Sequence, residues 1–464
     1  MLEPFLPAIR SAGFLSPGQP VTIAAAPGRL DVMGGIADYS GATVLEATIG
    51  DLAVVALQQR TDSTLRVRTV GPAVAHLPLT EHTLSLNDLY RHDSLISYEA
   101  ARALFTPESR WAAYVIGVFY VLLAERAIDR FPHGADLLVL SSVPLGAGVA
   151  SSAAIEVATM RAVCAAFGIT LDLDGHMRLA SLCQVAENRV VGAPCGIMDQ
   201  VTCSLGRAGR LLALRCQPHD VLGFHAPPEG FSFVGLDSGV KHAVGGVRYP
   251  RVRCAAFMGR RIIQETLRAR GDDPSSAQHL ARLTPAQYRA HFRDLLPARM
   301  EGRAFVERWG HTDDPATTVL LDESYPVRGA TEHPIYENAR VRRFAALLEQ
   351  GTPQSLTAAG RLMYGSHRSY SRNCGLGSKE TDLLVSLVRS RGVGRGLYGA
   401  KITGGGSGGT VAIMRATSGA AGEAADGALA EVRREYERAV GRAPRVIEGS
   451  SPGAAQIEPL RVTL

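Results

Sequence analysis

The chain has 464 residues, of which 46% are hydrophobic and 20% charged, with a net charge of +5. That balance is too apolar and too mixed in sign for a disordered chain, and 49 glycines without a three-residue period exclude collagen. The length suits two domains whose cores need no staples.

Only Lys241, Lys379 and Lys401 are lysines, and the arginines form no basic tract, so no nucleic-acid partner is expected. The longest apolar run, Ala112 to Ala124, is too short to cross a bilayer, and no membrane partner is expected. No segment reads as a signal peptide. The seven cysteines are odd in number and contain no C-x-x-C pair, which suits free thiols in a reducing, cytoplasmic setting.

In chain order, Val21 to Ala25 reads as a strand ending at the breaker Pro27-Gly28. Thr43 to Ile49, Ala53 to Leu57 and the alternating Leu65 to Val70 are further strands. Arg110 to Arg126 is a mostly buried helix, Ala135 to Leu140 a strand, and Ser151 to Phe167 an alanine-rich helix stopped by Gly168. A helix from about His176 to Val191 closes at Gly192 and Pro194. The proline-rich stretch Gln217 to Gly230 marks a boundary between domains 1–222 and 223–464. Phe231 to Leu236 is strand-like, and helices follow at Arg251–Arg270, Pro334–Gln350, Pro353–Ser371 and Lys379–Arg391. Tyr398 to Met414 reads as strand, glycine loop and strand, and the last helix lies near Gly422–Val440. Without a regular βαβ alternation, the class is α+β.

Four segments carry chemistry. In Pro144-Leu-Gly-Ala-Gly-Val-Ala-Ser-Ser152 a strand enters a glycine loop that opens a helix, as a phosphate cradle requires, although a tight turn with serine caps has the same residues. Thr403-Gly-Gly-Gly-Ser-Gly-Gly-Thr410 fits G-x-G-x-x-G and G-x-S-x-G by accident, because a strand rather than a helix follows it. In the segment Glu187 to Gln200, Glu187 stands near a helix C-terminus, where an acid is disfavoured unless a cation such as Mg²⁺ compensates. Solvation, or a pair with Arg189, is the plainer account of Glu187 alone. Ala26-Pro-Gly-Arg-Leu-Asp-Val-Met-Gly-Gly-Ile-Ala-Asp-Tyr39 places Arg29 and Asp38 in a glycine-rich loop after the first strand.

Together and in this order, the four segments resemble the GHMP kinase superfamily, most nearly its galactokinase branch. The central Asp237-Ser-Gly-Val-Lys-His242 and Tyr249-Pro250 are similar to that branch's sugar-site region. Within it, the wording of 28–39, of Asp237-Ser-Gly with Gly245-Gly246, and of His333-Pro-Ile-Tyr-Glu-Asn338 resembles the kinase region of plant L-arabinokinases.

The resemblance implies a ribosomal-S5-like first domain, a ferredoxin-like second domain, and transfer of phosphate from ATP to the anomeric hydroxyl of a small sugar. It implies that Gly146, Gly148, Ala150, Ser151 and Ser152 cradle the phosphates, with Gly404, Gly405 and Gly406 on the other side of the cleft. Ser152 and Glu187 would hold Mg²⁺, and Asp199 and Arg29 would be catalytic. Asp38, Gly35, Ile36, Tyr249 and Gly196 would meet the sugar. An aspartate beside an arginine is a weak base, but the loose transition state of phosphoryl transfer asks for proton removal only late.

Galactokinases read Gly-Glu-His-Thr-Asp-Tyr where this chain has Gly34-Gly35-Ile36-Ala37-Asp38-Tyr39. L-Arabinose has the ring stereochemistry of D-galactose without the exocyclic hydroxymethyl, so Gly35 and Ile36 suit arabinose. The alternatives are a D-galactokinase with an altered loop and a catalytically silent sensor of sugar and ATP. The complete set Arg29, Ser152, Glu187 and Asp199 speaks against the sensor. His242 and His333 are expected to be structural.

Overall fold

The computed structural model describes residues 1–71, 80–171, 175–240 and 248–464. The motif residues Lys241-His242 and Gly245-Gly246 therefore lie outside the described residues.

In chain order the main elements are β1 (Pro20–Met33), β2 (Thr43–Gln59), β3 (Thr64–Val70), β4 (Glu81–Ser85), α1 (Ala113–Ala124), β5 (Ala135–Ser141), α2 (Ser151–Phe167) and α3 (Gly175–Val185). They continue with α4 (Met198–Leu205), β6 (Leu211–Arg215), β7 (Asp220–His225), β8 (Phe231–Asp237), α5 (Arg248–Arg270), α6 (Val327–Gln350), α7 (Pro353–Arg372) and α8 (Lys379–Arg391). The chain closes with β9 (Leu397–Ile402), β10 (Thr410–Ala416), α9 (Gly419–Val440), β11 (Arg445–Ile447) and β12 (Leu460–Thr463).

Two sheets organise these elements, as an α+β chain should. The first has eight strands in the order β12-β1-β2-β5-β3-β4, with β6 and β7 continuing from the first half of β2. The second has four strands, β9-β10-β8-β11, all antiparallel. α1 is apolar around its whole circumference, so it is sealed in the core rather than lying on a surface. The expected boundary at residue 222 falls inside β7, and β12 returns the C-terminus to β1.

Several elements run further than the sequence suggests. Pro27-Gly28 does not end β1: the strand bulges there, where a missing N–H is tolerated, and continues to Met33. At the bulge the Arg29 N–H donates to the Val149 carbonyl at 3.0 Å, tying β1 to the loop before α2. Thr43–Ile49 and Ala53–Leu57 form the single strand β2. α6 begins seven residues before Pro334, whose ring is buried, so tertiary packing overrides the proline as a start signal. The helix expected to run to Val191 changes after Val185 into one π-helical turn, Ala186–Val191, a distortion that concentrates at functional sites.

Candidate active site

A cavity of about 690 Å³ opens between the two sheets. Arg29, Ile36, Asp38, Gly146, Gly148, Ala150, Ser151, Ser152, Glu187, Gly196, Asp199, Tyr249, Gly404, Gly405 and Gly406 all line it. Gly35 does not.

The bulge in β1 sends Arg29 into the cavity floor, where it is 2% exposed. Its Nε and Nη2 donate to Asp199 Oδ1 at 3.0 and 2.8 Å, and its Nη1 donates to the Gly148 carbonyl at 2.6 Å. Glu46 on β2 adds a carboxylate 3.3 Å from Nε. Burial lowers the pKa of this guanidinium, but Asp199, Glu46 and Asp31 outweigh it and hold it above the ordinary arginine value. Asp199 sits in the first turn of α4, where the helix dipole favours an anion. One buried cation thus fixes a carboxylate and the backbone of the first glycine loop together.

Ala150 takes a left-handed φ of 58° to turn the chain into α2, and no side chain caps that helix. The serine-cap alternative is therefore not what the loop does. The first amides of α2 face the cavity with the helix dipole behind them, which is an anion site. The Thr410 N–H donates to the Ala147 carbonyl at 2.9 Å, so the second glycine loop closes directly on the first.

Glu187 lies in the π-helical turn and is neither solvated nor paired with Arg189, whose guanidinium stacks 3.6 Å over Tyr98. Gln200 Nε2 donates to Glu187 Oε2 at 2.6 Å. Burial and the nearby Asp199 push the Glu187 carboxyl up to about 7, while hydrogen bonds with Ser152, Cys195 and Gln200 pull it back. A desolvated carboxylate and a hydroxyl are hard oxygen donors, and they fit a divalent ion completed by substrate phosphates and water. Among the described residues no cluster of three or more His, Cys, Asp or Glu forms a fully protein-built cage.

On the opposite wall stand Asp38, Tyr249 and Ile36. Burial and then Asp199 raise the Asp38 carboxyl to about 6. A Cβ at Gly196 would collide with the Asp38 carboxylate, so only glycine allows this approach. Ile36 is buried in the left-handed region at φ 61°, a strained setting for a β-branched residue. Tyr249 meets Tyr39 edge to face at 6.1 Å.

Gly35 has a different role from the one expected. A Cβ there would run into the Tyr370 phenol oxygen and the Asp31 carboxylate. Its carbonyl accepts from His333 Nε2 at 2.9 Å, and His333 Nδ1 meets Ser369 Oγ at 2.8 Å, so both nitrogens of this buried histidine serve the framework.

Several residues that build the site had no place in the sequence reading. Asp31 and Lys401 form a sealed ion pair at 2.7 Å, and the Tyr370 hydroxyl lies 3.1 Å from both Asp31 Oδ2 and the Gly404 carbonyl. Glu156 is buried beside Gln200 at 3.2 Å, and burial followed by Glu187 pushes its carboxyl well up. The scarcity of lysine was the one signal that could have singled out Lys401; Glu46 and Glu156 had none.

A model of the GHMP kinases N terminal domain matches residues 113–207. The L-arabinokinase of Arabidopsis thaliana is 40% identical over 97% of this chain, which spans about half (48%) of that protein's length. The galactokinase of Chloroflexus aggregans is 30% identical over 86% of this chain and 85% of its own. In three dimensions the Lactococcus lactis galactokinase complexed with galactose superposes with a TM-score of 0.74 at 20% identity, covering 99% of this chain and 100% of that one. The Methanococcus jannaschii mevalonate kinase reaches 0.54 at 13% identity, over 92% and 98%. On the domain match and the identity to a galactokinase over most of both chains, the chain belongs to the GHMP kinase superfamily, in its galactokinase branch.

Proposed function

We propose that this protein transfers phosphate from ATP to the anomeric (C1) hydroxyl of L-arabinose, giving L-arabinose 1-phosphate. The observation that carries the reading is the Asp199 carboxylate, held by Arg29 between the α2 start and the wall of Asp38, Ile36 and Tyr249. In this reading the amides of Gly146 to Ser152 bind the ATP phosphates, with Gly404 to Gly406 closing the other side. Ser152 and Glu187 hold Mg²⁺, which when bound neutralises phosphate charge. Asp199 orients the sugar hydroxyl and takes its proton late, because a loose transition state needs little nucleophile activation early. Arg29 offsets the charge that develops on the transferring group. Asp38 accepts from ring hydroxyls, and Gly196 lets the sugar lie close to the backbone.

The arabinose preference rests on Ile36. A galactose hydroxymethyl packed against it without a partner would cost about 1–3 kcal/mol. We also assign the chain to two lobes, with the boundary moved from residue 222 to the end of β7 at His225 and β12 as a C-terminal return to the first. D-Galactokinase is the second reading, favoured by the galactokinase relatives that this chain spans almost end to end.

The deciding experiment is ADP release with ATP and Mg²⁺ over a panel of sugars. Turnover favouring L-arabinose supports the proposal. A preference for D-galactose keeps the mechanism and overturns the specificity. Sugar binding without turnover would make the protein a sensor.

A further inference from the structure

Residues 271–332 carry no motif, yet their last stretch reaches the cavity. From His311 to Tyr325 the backbone is almost wholly irregular, and side chains anchor it. The Asp314 side chain is sealed from solvent and accepts from Arg253 Nε at 2.9 Å and Nη2 at 2.7 Å. The Ala316 N–H and the Thr317 hydroxyl donate to the same carboxylate at 3.2 and 2.5 Å. Val319 and Tyr325 pack into the apolar cluster that holds Ile36 and Tyr39. At the mouth, Glu323 pairs with Arg251, and both line the cavity.

The remaining arm of Arg253 points the other way. Its Nη1 donates to the Cys195 carbonyl at 3.0 Å. Asn188 Nδ2 and Gln184 Nε2 approach that same oxygen at 3.3 and 3.4 Å, and Asn188 Oδ1 accepts the Cys195 N–H at 2.7 Å. Three donors converge on an oxygen with two lone pairs, which marks a peptide held firmly in place. The next residue is Gly196, which no side chain could replace beside Asp38. A guanidinium is the group that can grip a carboxylate with two donors and still reach a carbonyl with a third.

We propose that residues 311–325 brace the sugar-side wall of the cleft from behind, and that Asp314, acting through Arg253, is a positioning residue for the Cys195–Gly196 peptide against Asp38. The inference rests on the sugar-kinase reading above. A buried ion pair is a weak source of stability, so its placement here, joining a motif-free segment to a peptide that abuts Asp38, is better explained by positioning.

The test uses the full chain and three variants: Asp314→Asn, Arg253→Lys and Thr317→Val. Sugar KM is measured at saturating ATP, ATP KM at saturating sugar, and thermal unfolding alongside. The first two variants should raise sugar KM about tenfold or more while ATP KM stays within about twofold, since small misplacements in a site are costly. Thr317→Val should shift sugar KM in the same direction by less, and it carries the test if Asp314→Asn fails to fold. An unchanged sugar KM in a folded variant, or a parallel rise in both constants, overturns the proposal. A wild-type chain that turns over no sugar at all would instead sink the kinase reading, and the wall with it.

Discussion

The Lys401 ammonium stands 2.7 Å from the Asp31 carboxylate, with both side chains at 0% exposure. One belongs to β9 of the second sheet and the other to β1 of the first, so a sealed ion pair ties the two sheets together. Asp31 also accepts from the Gly35 N–H at 3.2 Å, which brings the loop carrying Ile36 and Asp38 into the same network. Removing one partner leaves an uncompensated buried charge. Lys401→Met should therefore destabilise the protein by about 3–5 kcal/mol in urea unfolding, and Asp31→Asn in the same chain should recover part of that loss. Equal stability of the single variant and wild type would show that the pair contributes nothing to holding the two sheets together.

Asp199→Asn keeps shape and removes the proton acceptor. Turnover should fall by about 10²–10⁴-fold, the usual range for a general base. Calorimetry should still detect sugar and ATP binding. Near-wild-type turnover would remove Asp199 from the mechanism.

Asp38 should trade stability for binding. Burial raises its carboxyl from 3.8 to about 6, so the folded state holds this proton more tightly than the unfolded one. Its contribution is complete below pH 3.8 and is lost as pH rises through about 6. Above that, the ionised buried group costs roughly 3 kcal/mol. Asp38→Asn should accordingly gain stability at pH 8 relative to wild type, show no such gain at pH 3.5, and raise sugar KM at pH 8. Paired denaturation curves at the two pH values decide the matter.

Gly35 and Ile36 should separate on mutation. Ile36→His suits a left-handed backbone better than isoleucine and offers a polar partner, so the arabinose-to-galactose ratio of kcat/KM should fall about tenfold. Gly35→Glu has no room beside Tyr370 and Asp31, and should appear as loss of folded protein rather than a change of sugar. An unaltered ratio in Ile36→His would remove that residue from the specificity argument.

Much of the site was legible before any coordinates, because its parts are local. A glycine loop opening a helix, an arginine after a Pro-Gly breaker and an acid after a glycine turn are each set by a few neighbouring residues. Taken together they carry the family resemblance and most cavity-lining positions, while the fold class rests on the irregular order of strands and helices. What the tertiary structure alone decided involves partners far apart in the chain. Asp31 and Lys401 are 370 residues apart, Arg29 and Asp199 are 170, and Arg253 and Asp314 are 61. No periodicity or spacing encodes such pairings, since they arise only when two sheets and an irregular segment close on one another. The same closure changed the meaning of Gly35: from sequence it is a missing polar side chain, but packed against Tyr370 it is a position where no side chain fits.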